Sequence, residues 1–108
     1  MSKLKNTYAA GSKPEAFVYT FRDSTGAAMT TTGYTSTVTW VRHSTGESGS
    51  FTASITSAGA ATFTVPEALA ASEDTIDLQV WAGDTVTLLD GKKWRLIIEP
   101  AAGTAPSI

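Results

Sequence analysis

Through most of residues 16–100, apolar and polar side chains alternate at every second position, the period of strands with one buried face rather than of amphipathic helices. In 16–22 the aromatics Phe17, Tyr19 and Phe21 share one side, and Asp23-Ser24-Thr25-Gly26 supplies turn chemistry behind them. Segment 34–42 puts Tyr34, Ser36, Val38 and Trp40 on one face, expected to be core, and Thr35, Thr37, Thr39 and Val41 on the other. His43-Ser44-Thr45-Gly46-Glu47 reads as a loop. Segment 48–55 then turns Phe51, Ala53 and Ile55 inward, and Thr56-Ser57-Ala58-Gly59 links it as a hairpin to 60–65, with Ala61, Phe63 and Val65 inward.

Residues 66–71 give the one helical signal: Pro66 suits a first turn, Glu67 the positive end of the dipole, and Ala68 and Leu69 propagate well. Alternation resumes over 75–81 with Ile76, Leu78 and Val80 inward, and Ala82-Gly83-Asp84 turns the chain. Val86 and Leu88 are expected to line a short strand and Asp90-Gly91 to form a tight turn. Trp94, Leu96 and Ile98 then line the last strand before Pro100. About seven strands at a spacing of roughly 10 residues predict an all-β, immunoglobulin-like antiparallel sandwich, with a small barrel as the alternative. The expected core is Phe17, Phe21, Val38, Trp40, Phe51, Phe63, Leu78, Val80, Trp94, Leu96 and Ile98. Residues 1–15 read as an extended arm, 16–100 as the sandwich, and 101–108 as a tail.

Composition agrees with strands: 18 threonines and 11 serines outnumber the strong helix formers other than alanine. At 108 residues with a formal net charge of -2, the chain is one small domain, too short for a core and a deep cleft together. It lacks the basic surface that nucleic acid requires, and no apolar run approaches a membrane span. Neither partner is expected. There is no cysteine, so neither disulfides nor thiolate metal sites support the fold. The opening Met1-Ser2-Lys3-Leu4-Lys5 has no apolar run behind its charges, so the expectation is a soluble product made in the cytoplasm.

Chemistry is sparse. The one histidine, His43, sits in a loop without an evident partner and reads as a solvated turn residue. Glu73, Asp74 and Asp77 resemble a calcium cluster only loosely, because the alternating ligands and turn glycine of a dedicated loop are missing. No serine elbow or phosphate-cradling glycine loop occurs, so neither an enzyme nor a cofactor is expected. Aromatics are the remaining signal. Trp81 falls opposite Ile76, Leu78 and Val80, and an outward tryptophan either packs at a rim or anchors a partner. Beside it the outward row Thr35, Thr37 and Thr39 presents hydroxyls, while Tyr8 in the arm and Ile108 in the tail complete the candidate partner contacts.

The stretch 17–42, with its aromatic strand, Asp23-x-x-Gly26 turn, Gly33 and Thr/Val/Trp strand closing on Arg42, resembles the immunoglobulin-like domain of phage virion proteins. The N-terminal domain of siphophage upper baseplate proteins is an example of that pattern, and Gly59 to Pro66, 75–81 and 94–100 continue the likeness. It departs at Glu73-Asp74-Thr75-Ile76, where such domains carry a glycine and an aromatic. The resemblance implies a non-enzymatic virion component, a capsid decoration or a tail or baseplate part, whose partners are capsid or tail subunits and further copies of itself. The competing expectation is a carbohydrate-binding module in which Trp81 and Tyr34 stack on sugars of a host surface.

Overall fold

The structure, a computed structural model, describes residues 6–104 and 106. Among these residues seven strands form: β1 (Thr7–Ala9), β2 (Phe17–Thr20), β3 (Thr35–Arg42), β4 (Ser48–Ile55), β5 (Ala60–Phe63), β6 (Asp74–Gly83) and β7 (Leu88–Glu99). Among the described residues there is no α-helix. The 66–71 segment closes only one 3-10 turn, Glu67–Leu69, which buries Leu69.

The strands join in one sheet ordered β1-β7-β6-β3-β4-β5-β2. All pairs are antiparallel except β1 on β7, where Tyr8 lies opposite Ile98, so the sheet is mixed rather than purely antiparallel. Part of the expected arm is therefore an element of the sheet. β4 changes neighbours midway: it pairs with β3 up to Ala53 and with β5 from Ser54. With that change the sheet curls into a half-barrel, and Phe17 of β2 and Phe63 of β5 pack across it edge-to-face on Trp94 of β7 at ring separations of 5.6 and 5.3 Å. The architecture is all-β, a curled seven-stranded sheet around one core.

Phe17, Phe21, Val38, Phe63, Leu78, Val80, Trp94, Leu96 and Ile98 are buried in a single cluster, and Phe51 is half-buried against it. Trp40 differs from expectation. It points inward but lies near the end of β3, beyond the reach of the four-residue strands β2 and β5, and is only half-buried. Its indole rests on Gly49, where a Cβ would come within 2.6 Å of the ring, and under the Arg42 guanidinium at 5.7 Å. Trp94 is the buried tryptophan, with the rings of Phe17, Tyr19 and Phe63 packed edge-on against it.

The hairpin assigned to Asp90-Gly91 does not exist. β7 runs unbroken through both residues, and Gly91 and Lys92 together oppose Val80 as a bulge between the pairs Gln79/Lys93 and Trp81/Asp90. A bulge adds one residue and so exchanges the faces. Leu89 packs on the core before it and Trp94, Leu96 and Ile98 after it, while Leu88 is 71% exposed and Val86, in the turn, 90%. Gly91 suits the position because a Cβ would press to 2.7 Å on Val80 Cγ1 and 2.9 Å on the Val80 carbonyl.

Trp94→Ala is expected to lower unfolding free energy by about 3–5 kcal/mol, the cost of emptying a buried aromatic site. Trp40→Ala should cost less, because that ring lies at the edge of the cluster and is only partly buried. Urea midpoints at unchanged slope compare the two, and equal losses would show that Trp40 contributes as much to the core as Trp94. Gly59→Ala should also destabilise strongly, since its φ of +88° is left-handed and a Cβ would meet the Met29 and Phe21 carbonyls at 2.8 and 3.0 Å.

Candidate functional site

The outer face of β3 and β6 gathers four of the proposed contact residues. Thr35, Thr37 and Thr39 alternate outward along β3, and in the antiparallel register Thr37 lies opposite Trp81 and Thr35 opposite Gly83. Trp81 is held twice by β3. Its carbonyl accepts from the buried Ser36 hydroxyl at 2.7 Å, and its Nε1 donates to Thr39 Oγ1 at 2.8 Å. The indole therefore leans along the threonine row with its single polar atom satisfied.

The β6–β7 turn closes one side. Gly83 pairs with Leu88, and a Cβ there would run into the Thr87 carbonyl, so the tight return needs glycine. Asp84 Oδ1 accepts from the Val86 and Thr87 amides at 2.9 and 2.8 Å, and these bonds hold its carboxyl below the usual range. Between turn and threonine row lies an open trough of about 760 Å³ that includes Thr35, Thr37, Thr39, Trp81, Asp84 and Leu88 in its lining. Sequence reasoning placed Leu88 inward and missed it. The available signal was Gly91, which reads equally as a turn or as a bulge glycine.

Tyr8 is not part of this face. It sits on β1 at the sheet's end, half-buried against the core, beside a second depression lined by residues of both terminal segments. Ile108 lies outside the described residues, as do residues 1–5 of the arm.

At the other end of the outer face the structure corrects the reading of His43. Its Nε2 lies 2.8 Å from Asp77 Oδ2, and Arg95 Nε donates to Asp77 Oδ1 at 2.9 Å, so the imidazole has a carboxylate partner across the strands. Ser44 does not complete a relay: its hydroxyl donates to Asp74 at 2.7 Å, away from the imidazole. Asp74 also accepts from the Thr75 amide at 2.7 Å and faces Arg42 at 3.4 Å. Arg42 in turn donates to the Ala68 carbonyl at 3.0 Å and pairs with Glu47 at 3.3 Å, tying the end of β3 to its loop and the 3-10 turn. Among the described residues no three His, Asp or Glu side chains converge as metal ligands, Glu73, Asp74 and Asp77 included. Nor is any helix there long and apolar enough to cross a membrane.

No family model matches the chain, and neither a curated protein nor a solved structure matches it significantly.

Asp77 supplies a pH prediction. Hydrogen bonds from Arg95, with a further contribution from His43, outweigh partial burial and lower its carboxyl from 3.8 to about 2. A depressed carboxylate stabilises the fold above its unfolded pKa and loses that contribution as pH falls through the folded one. The contribution is thus complete above about pH 4 and gone below about pH 2. Asp77 is 42% exposed, so the pair is screened and worth about 0.2–1 kcal/mol. Asp77→Asn should remove that much stability at pH 7 and flatten the loss between about pH 4 and pH 2 relative to the parent. Parallel acid-unfolding curves for the two proteins would contradict it.

Proposed function

We propose that the chain is a non-enzymatic structural protein of a bacteriophage particle, binding neighbouring subunits as a capsid decoration or as a tail or baseplate component. One observation carries this reading: β2 ends the sheet with one side unpaired among the described strands, and its Val18 is 61% exposed. An open edge bearing an exposed aliphatic is a template for strand addition, and many repeated contacts stabilise a small domain that has no disulfide.

The resemblance of 17–42 to virion domains gains support from the work its residues do. Asp23 Oδ1 accepts from the Thr25 and Ala27 amides, with Gly26 at a φ of +89°, so the Asp-x-x-Gly element is a self-capped turn. Arg42 is the clamp described above. The finer architecture belongs to the same proposal: β2 and β5 form one layer of an open immunoglobulin-like sandwich, and β3, β6 and β7 the other. The packing of Phe17 and Phe63 on Trp94 supports it.

Cross-linking of purified particles tests the proposal, with the chain expected among virion proteins and joined to neighbours near residues 17–20. Val18→Lys should fold with an unchanged thermal midpoint and lose most of its occupancy. Full occupancy of that variant would remove the edge from the account. A monodisperse monomer absent from particles would overturn the virion reading.

A further inference from the structure

The Trp81 trough has features that edge pairing does not use, and they stand independently of the virion reading. The indole Nε1 of Trp81 is committed to Thr39, so no further hydrogen bond is available from the indole and what it offers is an oriented, partly exposed aromatic surface. A ring already fixed loses little rotamer freedom when something stacks on it. Around it stand hydroxyls. Thr35 and Thr37 are exposed and have no side-chain hydrogen bond within the described residues, so each has one donor and two acceptor positions open.

Charge narrows the ligand class. Among the described residues Asp84 is the one ionisable side chain of the lining, and no lysine or arginine joins it. Its Oδ1 is committed to the turn, which leaves Oδ2 as an acceptor held in place by backbone amides. A lone carboxylate with no compensating cation repels phosphates, sulfates and acidic sugars and accepts hydrogen bonds from neutral hydroxyls.

Size narrows it further. A stable protein contact covers about 800 Å² on each partner, so it would have to extend well past the trough. The trough of about 760 Å³ is open along one side and has room for a small ligand lying against Trp81. We infer that the Trp81 trough is a binding site for a neutral sugar ring of a glycan. The C–H face of the ring stacks on Trp81, and its hydroxyls bond to Thr35, Thr37 and the free oxygen of Asp84.

The test is an array of neutral hexose and N-acetylhexosamine oligosaccharides beside sialylated and uronic-acid glycans, with fluorescence titration of every glycan bound. Neutral glycans are expected to bind, and Trp81→Ala to weaken the affinity by about tenfold or more with the thermal midpoint retained. Thr39→Val, which frees the indole without removing it, should weaken binding by a smaller factor. If Trp81→Ala fails to fold, Thr35→Arg fills the trough from an exposed position and should abolish the same signal. Binding of anionic glycans only, binding unchanged in these variants, or no neutral glycan bound by the parent would each overturn the proposal. So would a Trp81→Ala variant that loses particle occupancy while the parent's array stays blank, which would assign the face to a protein neighbour.

Discussion

The bulge of β7 opposite Val80 is the constraint on which both faces of the sheet depend. β6 keeps one parity along its length, with Ile76, Leu78, Val80 and Ala82 buried. β7 cannot do the same, because its inward residues are odd-numbered before the bulge and even-numbered after it. Two residues set against one reconcile the halves, so Trp94 enters the core while Leu88 reaches the outer face beside Trp81. Without that exchange a single strand would have to bury Leu88 and Asp90 or expose Trp94. The fit is close on the inner side, where Gly91 leaves room for Val80 and for the Tyr19 ring.

Wherever local chemistry and tertiary packing agree, the fold is legible in the residues. The alternation of Phe17, Val38, Phe63 and Leu96 marks buried faces because a half-buried strand has no other way to satisfy its pleat. The hairpin at Thr56 to Gly59 is equally plain, with Gly59 left-handed and the Thr56 hydroxyl accepting from the Ala60 amide. What escapes is global. Asp-Gly favours a tight turn locally, yet at 90–91 pairing with β6 on both sides keeps the strand continuous. The incomplete burial of Trp40 depends on how far β2 and β5 extend, which periodicity along β3 does not report. The parallel pairing of β1 likewise depends on where β7 ends, far away in sequence.

The candidate site was legible in half. Trp81 and the threonines fall on one face by counting, whereas Leu88 and Asp84 join them only through the bulge and the turn. The His43 to Asp77 contact joins residues 34 apart in sequence and follows from the β3 to β6 register, in which the loop after Arg42 passes beside the start of β6. There the charged groups answer one another: Arg95 and His43 face Asp77, and Arg42 faces Asp74 and Glu47. Those contacts tie loops to strands and leave little of that end uncommitted.

The threonine row by itself requires no ligand, since branched, hydroxylated side chains suit a solvated pleat and β3 would carry them in any exposed sheet. Trp81 is the residue that such a surface does not explain. A rim tryptophan that only shields the core would turn its ring inward, but inward places at this level of β6 belong to Val80 and Ala82. A tryptophan anchoring a protein neighbour gains from an indole N–H left for the partner, and here that group is spent on Thr39 within the same sheet. What remains is a flat apolar surface, fixed in orientation and bordered by hydroxyls and a single carboxylate. Those are complementary to a ligand with an apolar face and a polar rim, and they offer nothing to a cation-seeking one.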